Sequence, residues 1–305
     1  MDEKIAAAAP RVAVLPPIGR RERPGKRWPQ RLAPIARREV LALAGVLLLL
    51  AVIAGAALAP LLSPYSPTAP NIRERLRTPS LAHLFGTDEL GRDVFTRVLY
   101  GARPILAVSV ASVLCALLIG TALGTIAGYR GGRIDELVMR LMDIVLSFPA
   151  ILLAILIVAA LGAGLGNVII AVTFSLIPVF ARLARSLALS LARNDYVLAA
   201  QCLGCTEGGI VRRHILPNMA PLVLVQASSM LATAFSLSAA LSFLGLGVPP
   251  PTPDWGAMVS DGQRLVFDAP HVPFFPGLVI SLTVMSVNFI GDALRDQLDP
   301  LLKGR

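Results

Sequence analysis

The sequence predicts an all-α polytopic membrane protein with six transmembrane helices and both termini in the cytoplasm. The first ground is composition. The 305 residues are 55% hydrophobic and only 15% charged, whereas a soluble chain is near half apolar with about a quarter of its residues charged. The second is a series of six apolar runs, each about the length that crosses a bilayer. The third is the placement of arginine, which gathers in alternate inter-span segments as the positive-inside rule requires.

The formal charge of +9 is concentrated at the start of the chain. Residues 1–38 hold ten Lys and Arg against three acids, Asp2, Glu3 and Glu22, a surplus of seven. This stretch is rich in Pro and Arg and lacks apolar periodicity, so it reads as a disordered cytoplasmic tail. A basic tail is often a nucleic-acid arm. Next to a membrane span it reads instead as an orientation signal that also meets anionic lipid head groups, with no nucleic-acid partner. The first apolar run, Leu41–Leu62, is too long for the core of a signal peptide and follows too long a tail, so 39–62 is an uncleaved anchor helix.

The segment 63–103 follows as an extracytoplasmic loop. It carries six arginines and four acids, and its length lets it fold as a small external element that partly escapes the charge rule. Residues 104–292 form a five-helix core, with spans at 104–128, 141–161, 166–187, 219–246 and 273–292. Arg182 and Arg185 intrude on the end of the fourth span. The cytoplasmic side receives the tail, Arg130/Arg133/Arg140, the cluster from Arg182 to Arg213, and the tail 293–305 with Arg295, Lys303 and Arg305. In the second span Gly120, Gly124 and Gly128 recur every four residues, lining one helix face and letting another backbone approach closely.

The longest polar interval of the second half, within a cytoplasmic loop at 188–218, has local structure of its own. Asn194 or Asp195 caps a short helix from Tyr196, and Gly204 closes it in the left-handed conformation. Thr206 caps a second short helix, with Glu207 in its first turn, running toward Pro217. A helix–Gly–helix elbow between two spans is a docking surface for another protein. Cys202 and Cys205 form a C-x-x-C within it; with no second pair, they read as small packing residues rather than a redox or zinc site. Cys115, inside a span, reads as a small apolar residue.

Ala199-Ala200, Gly204 and Leu216-Pro217 follow the spacing of the Glu-Ala-Ala loop of binding-protein-dependent ABC importer permeases, and His214-Ile-Leu-Pro-Asn218 resembles the dipeptide/oligopeptide/nickel branch. His83-Leu-Phe-Gly86-Thr87-Asp88-Glu-Leu-Gly91-Arg92-Asp93 looks like the entry signature of the second permease subunit of peptide importers, similar to a dipeptide permease C. Phe148-Pro149 resembles the family's third span, with Pro149 kinking it; the tract Leu241–Gly256 resembles the end of its fifth, and Asn288 to Pro300 its closing helix. Together these cover about residues 35–300. Two acids that the family often carries are replaced, by Leu198 and Ser238.

The resemblance implies a type I ABC importer permease fold. It implies that the elbow, with Ala199, Ala200, Gly204, Thr206, His214, Leu216 and Pro217, couples two cytoplasmic ABC ATPase subunits to the spans. It also implies a second homologous permease as heterodimer partner and a substrate-binding protein outside. The substrate class it favours is di-/oligopeptides, with nickel, glutathione or another small solute as the alternative. The phosphate-binding pattern G-x-x-x-x-G-K-[ST] is missing from the sequence, so ATP and Mg belong to the partner ATPases and no cofactor is expected on this chain.

Other function classes fit the residues less well. An ion-coupled carrier usually buries ionisable groups at mid-membrane, and the expected span centres hold no Asp, Glu, Lys, Arg or His. An enzyme would need convergent groups, whereas His83, His214 and His271 fall on separate loops and give no metal site.

Overall fold

A computed structural model describes the backbone of residues 29–298 and the side chains of residues 40–297. Within that range the chain is helical, and the one pairing of extended backbone is the isolated antiparallel bridge Thr87–Asp93. The expected tail 1–38 and C-terminal tail 293–305 lie largely outside the described residues. The first helix, α1, already runs at Pro29–Leu62, and the last, α10, continues over His271–Leu298.

Five helices are long and apolar enough to cross a membrane. These are α1, of which Val40–Leu62 qualifies; α2, Val94–Arg130; α5, Leu165–Leu191; Glu207–Phe243; and His271–Gln297 of α10. The expected third span is instead a pair, α3 (Gly132–Leu146) and α4 (Ala150–Leu161), bent by 89° at the break. Pro149 sits in that break with an extended ψ of 131°, and the Ser147 hydroxyl donates to the Ile144 carbonyl, taking up one carbonyl at the helix end. The kink expected at proline is thus a full corner, and six spans result only if the bent pair counts as one.

Two boundaries differ from the sequence reading. α2 begins at Val94, so the segment between the first two spans is 63–93. Asp93 caps the helix by accepting from the Thr96 N–H at 2.7 Å, and the helix absorbs its arginines. Arg97 donates to the Pro67 carbonyl and Arg103 to the Ala56 carbonyl, each at 2.9 Å. The second correction concerns the elbow. The short helix α7 (Glu207–Ile210) does not stop before the span. It passes through a π-helical turn, Val211–Ile215, directly into α8, Leu216–Phe243. Pro217 stands at the start of α8, directly after the π-helical turn, and Pro221 lies inside it; each removes one backbone donor from the helix.

The core is centred on α2 against α5. Their contact runs along the glycine row: a Cβ at Gly120, Gly124 or Gly128 would stand 2.6, 2.1 and 2.5 Å from the carbonyl oxygens of Ile177, Ala181 and Arg185. Three donors of space at i, i+4 and i+8 thus meet three carbonyls at the same spacing, which is how small residues bring membrane helices together. Phe180, Val172 and Ala184 of α5, Ala116 of α2 and Met219 of α8 complete this core. A second cluster joins Val94, Val98 and Ile105 of α2 to Phe235 of α8, Val287 of α10, and Trp255 and Met258 of the short helix α9, Trp255–Gly262.

Candidate functional site

At one end of the bundle the chain forms a polar elbow. Its first half is α6, Asp195–Cys202, which ends in a double hydrogen-bonded cap. The Gly204 N–H donates to the Gln201 carbonyl at 3.0 Å and the Cys205 N–H to the Ala200 carbonyl at 3.1 Å. This geometry needs a left-handed residue after the helix, and Gly204 supplies it with φ +78°. The turn then delivers Thr206, whose hydroxyl accepts from the Gly209 N–H at 3.3 Å and starts α7. Asn194 precedes α6 without a side-chain cap.

The elbow is pinned from three directions. Arg130, at the end of α2, pairs with Glu207 at 3.4 Å. The Gln201 amide reaches the Tyr129 hydroxyl at 3.5 Å. Asn218 donates to the His214 carbonyl at 2.6 Å and approaches the Tyr196 hydroxyl at 3.5 Å, tying α6 to the base of α8. Val197, Ala200, Ile210 and Ile215 are buried beneath. What remains outward mixes apolar and charged groups: Leu203 is 84% exposed, with Tyr196, Leu198 and Leu216 also exposed, beside Ala199, Asp195, Gln201, Glu207, Arg212 and Arg213. Cys202 and Cys205 are free thiols, both exposed on this chain. Cys115 is exposed as well, on the outward side of α2.

The acids of α3 answer the two arginines that intrude on α5. Arg182 pairs with Asp143 at 2.6 Å, and Arg185 grips Asp135 with two nitrogens. These pairs, and Arg130–Glu207, bridge separations of 39, 50 and 77 residues, and no local spacing announces them. Tyr129, Arg130 and Asp135 are therefore the site residues that the sequence reading missed. Their only signal was an acid on one polar segment facing an arginine on another.

At the opposite end lies the element 63–93 with its signature residues. Gly86 (φ +74°) and Gly91 (φ +71°) take left-handed turns. A Cβ at Gly91 would stand 1.8 Å from the Asn71 carbonyl oxygen, so glycine is required there twice over. Asp88 accepts from the Arg92 N–H at 2.9 Å and its Nε at 2.7 Å, while the buried Arg97 lies 3.6 Å away. Thr87 binds the Glu74 carbonyl and accepts from the Arg77 N–H at 2.8 Å; its own carbonyl accepts from His271 Nε2 at 3.2 Å. The buried His83 spans Asp93 (2.9 Å) and Glu74 (3.2 Å). Trp255 closes the floor by donating from Nε1 to the Val98 carbonyl at 2.7 Å.

Asp254, the cap of α9, is buried here and accepts from the Gly256 and Ala257 N–H groups. Burial lifts its carboxyl above the ordinary carboxylate range, against hydrogen bonds from Ser242 and those two backbone groups. Ser238, at a position where an acid was anticipated from the resemblance, is 2% exposed. Among the described residues no group of three or more His, Cys, Asp or Glu is placed to hold a metal ion.

Comparisons with known proteins agree on one family. Residues 120–304 match the family described as binding-protein-dependent transport system inner membrane component, and residues 36–79 match the N-terminal TM domain of oligopeptide transport permease C. The chain is 46% identical over 267 residues to the dipeptide transport system permease protein DppC of Alkalihalophilus pseudofirmus, covering 88% of each. It is 45% identical over 267 residues to the glutathione transport system permease protein GsiD of Pectobacterium atrosepticum, covering 87% of this chain and 89% of that one. Among solved structures, an inward-facing form of the MetNI methionine ABC transporter aligns with TM-score 0.55 and 22% identity, over 67% of this chain and 96% of the other. That last likeness is one of fold alone.

Proposed function

Because the chain belongs to the binding-protein-dependent transport system inner membrane components, a multi-pass inner-membrane transport subunit rather than an enzyme, we propose that it is one permease half of an ATP-driven importer of di- or oligopeptides. The observation that carries this is the elbow. A rigidly capped turn presents Leu203 and the exposed side of α6 to solvent, while its other limb is continuous with the span Glu207–Phe243. A push on this turn is delivered into a membrane helix without an intervening loop.

In this reading two ATPases dock on the elbow from the cytoplasm and both termini lie on that side. ATP and Mg are bound by those ATPases. A second, homologous permease completes the path, and a soluble binding protein delivers substrate to the side that carries the 63–93 element. ATPase closure moves α6 and α7, α8 follows, and the spans alternate between inward- and outward-facing arrangements. Ala199, Ala200, Gly204, Thr206, His214, Leu216 and Pro217 act as the coupling surface and its supports. Peptide is the favoured substrate class because the relatives named above are dipeptide and glutathione permeases.

A pull-down of the tagged protein from mildly solubilised native membranes tests this reading. Two ATPases and one second permease are the expected companions. Recovery of the chain alone, or as a homo-oligomer, would overturn it, and transport of peptides by the reconstituted complex then tests the substrate.

A further inference from the structure

We propose that the turn 265–274 is a lipid-seated anchor, holding the element at that end of the protein in the interfacial layer of the bilayer by binding the upper part of a phospholipid acyl chain. The turn is rigid. Leu265, Ala269 and Val272 are buried together with Leu76 packed on them, and the Ala269 N–H donates to the Leu265 carbonyl at 2.7 Å. With those side chains fixed inward, Val266 and Phe267 are forced outward, and Phe267 is 97% exposed; Leu81, on the neighbouring 63–93 element, is 100% exposed. Between the two elements lies an open hollow of about 460 Å³ walled by Pro79, Val266, Pro270, His271, Pro273 and the two phenylalanines that follow. Exposed apolar area of this kind on a rigid frame marks an interaction surface.

The membrane is the occupant that the surroundings specify. The hollow is built on the first turn of α10, a span, so it sits where that helix enters the bilayer. From it a stripe of exposed residues runs down the same helix face: Phe274, Leu278 and Met285 at i, i+4 and i+11. Ser281, the polar member of that stripe, donates its hydroxyl to the Gly277 carbonyl at 2.9 Å, leaving nothing unsatisfied for an apolar neighbour to meet. Phe275, on the inner wall of the hollow, stacks on Phe85 at 3.9 Å. The apolar hollow therefore continues into the outward face of a span, and aromatic side chains at such a boundary are the usual membrane-interface anchors.

Phe267→Trp and Leu81→Trp variants of the full chain, in the assembly it forms in its native membrane and transferred to nanodiscs, test this. Fluorescence is compared with that of the parent protein, whose two native tryptophans set the background. Dibrominated phosphatidylcholine should quench the added tryptophan, more strongly with bromine near the top of the acyl chain than near its middle. Acrylamide in the water should quench it poorly. Absence of bromolipid quenching overturns the proposal in either of two ways. Ready access to acrylamide would show a free aqueous surface, and protection from both quenchers would show that a protein partner covers it.

Discussion

Gly124 and Ala181 meet backbone to backbone, since a single methyl at position 124 would fall 2.1 Å from the Ala181 carbonyl oxygen. No side chain stands between α2 and α5 there to yield. Gly124→Ala is therefore expected to force the helices apart and to cost about 1–3 kcal/mol, the range for overpacking a tight core. Gly166→Ala, where nothing lies within 4 Å, is the control. Thermal unfolding in one detergent should separate them, and equal midpoints would show that α2 and α5 do not need this approach.

Gly204→Asp is expected to disconnect ATP hydrolysis from transport while the protein still inserts and assembles. A Cβ there meets no neighbour within 4 Å, so the damage is confined to the strain of φ +78° and to a charge placed on the docking face; a non-glycine residue in that conformation costs roughly 1–2 kcal/mol. Wild-type uptake in the variant would sink the assignment of the elbow as the coupling surface.

Two ion pairs should respond very differently to loss of their arginine. Arg130–Glu207 is more than half exposed on both sides, and Arg130→Ala should cost no more than about 1 kcal/mol. Arg97 is 5% exposed and also holds the Pro67 carbonyl. Arg97→Ala removes a buried donor from the Pro67 carbonyl and the second cation from Asp88, which Arg92 still holds, and should cost about 1–3 kcal/mol. The ranking is read from unfolding midpoints of the two variants; the reverse order would mean that the 63–93 element is solvated.

Asp254 gives a pH signature. Its folded-state carboxyl binds its proton more tightly than in the unfolded chain, because burial penalises the charge. Stability from this group is therefore unchanged well below the unfolded value of about 4. It falls as pH rises from there through the folded value, and is level above it. Asp254→Asn keeps an oxygen to cap α9 and removes the titration, so its midpoint should gain on wild type with rising pH across that window. Asp254→Ala, which also lacks the titration, should run about 1 kcal/mol below Asp254→Asn at every pH because the cap is lost. Parallel wild-type and Asn curves would contradict the burial argument.

How much was legible in advance depends on how far each determinant reaches along the chain. Gly204 and Thr206 act within five residues of themselves, so the turn and the helix start they set could be read from residue type and spacing; Asp93 caps α2 just as locally, yet that start was expected at 104. The apolar runs were equally plain, because crossing a bilayer is a matter of length and hydropathy. The family resemblance was carried by short tracts of the same kind.

Boundaries were read less well where charge misled. Arg97 and Arg103 looked like loop residues because their partners, Asp88, Pro67 and Ala56, lie on other segments. The π-helical turn that fuses α7 to α8 was hidden too, because Pro217 reads as a stop whereas here the helix runs through it.

By itself, then, the sequence determined the class of the protein, its helical membrane spans, the elbow's capped turn and the small-residue face of α2, since each follows from local stereochemistry or from transfer out of water. Only the tertiary structure decided that this face meets the carbonyls of Ile177, Ala181 and Arg185, and that α3 turns through 89° to bring Asp135 and Asp143 to Arg185 and Arg182. It alone joined the Gly204 turn to a membrane-length helix through a π-helical turn. Those outcomes depend on which surfaces find each other across 39 to 77 residues, and pairing at that range is set by packing, which periodicity does not encode.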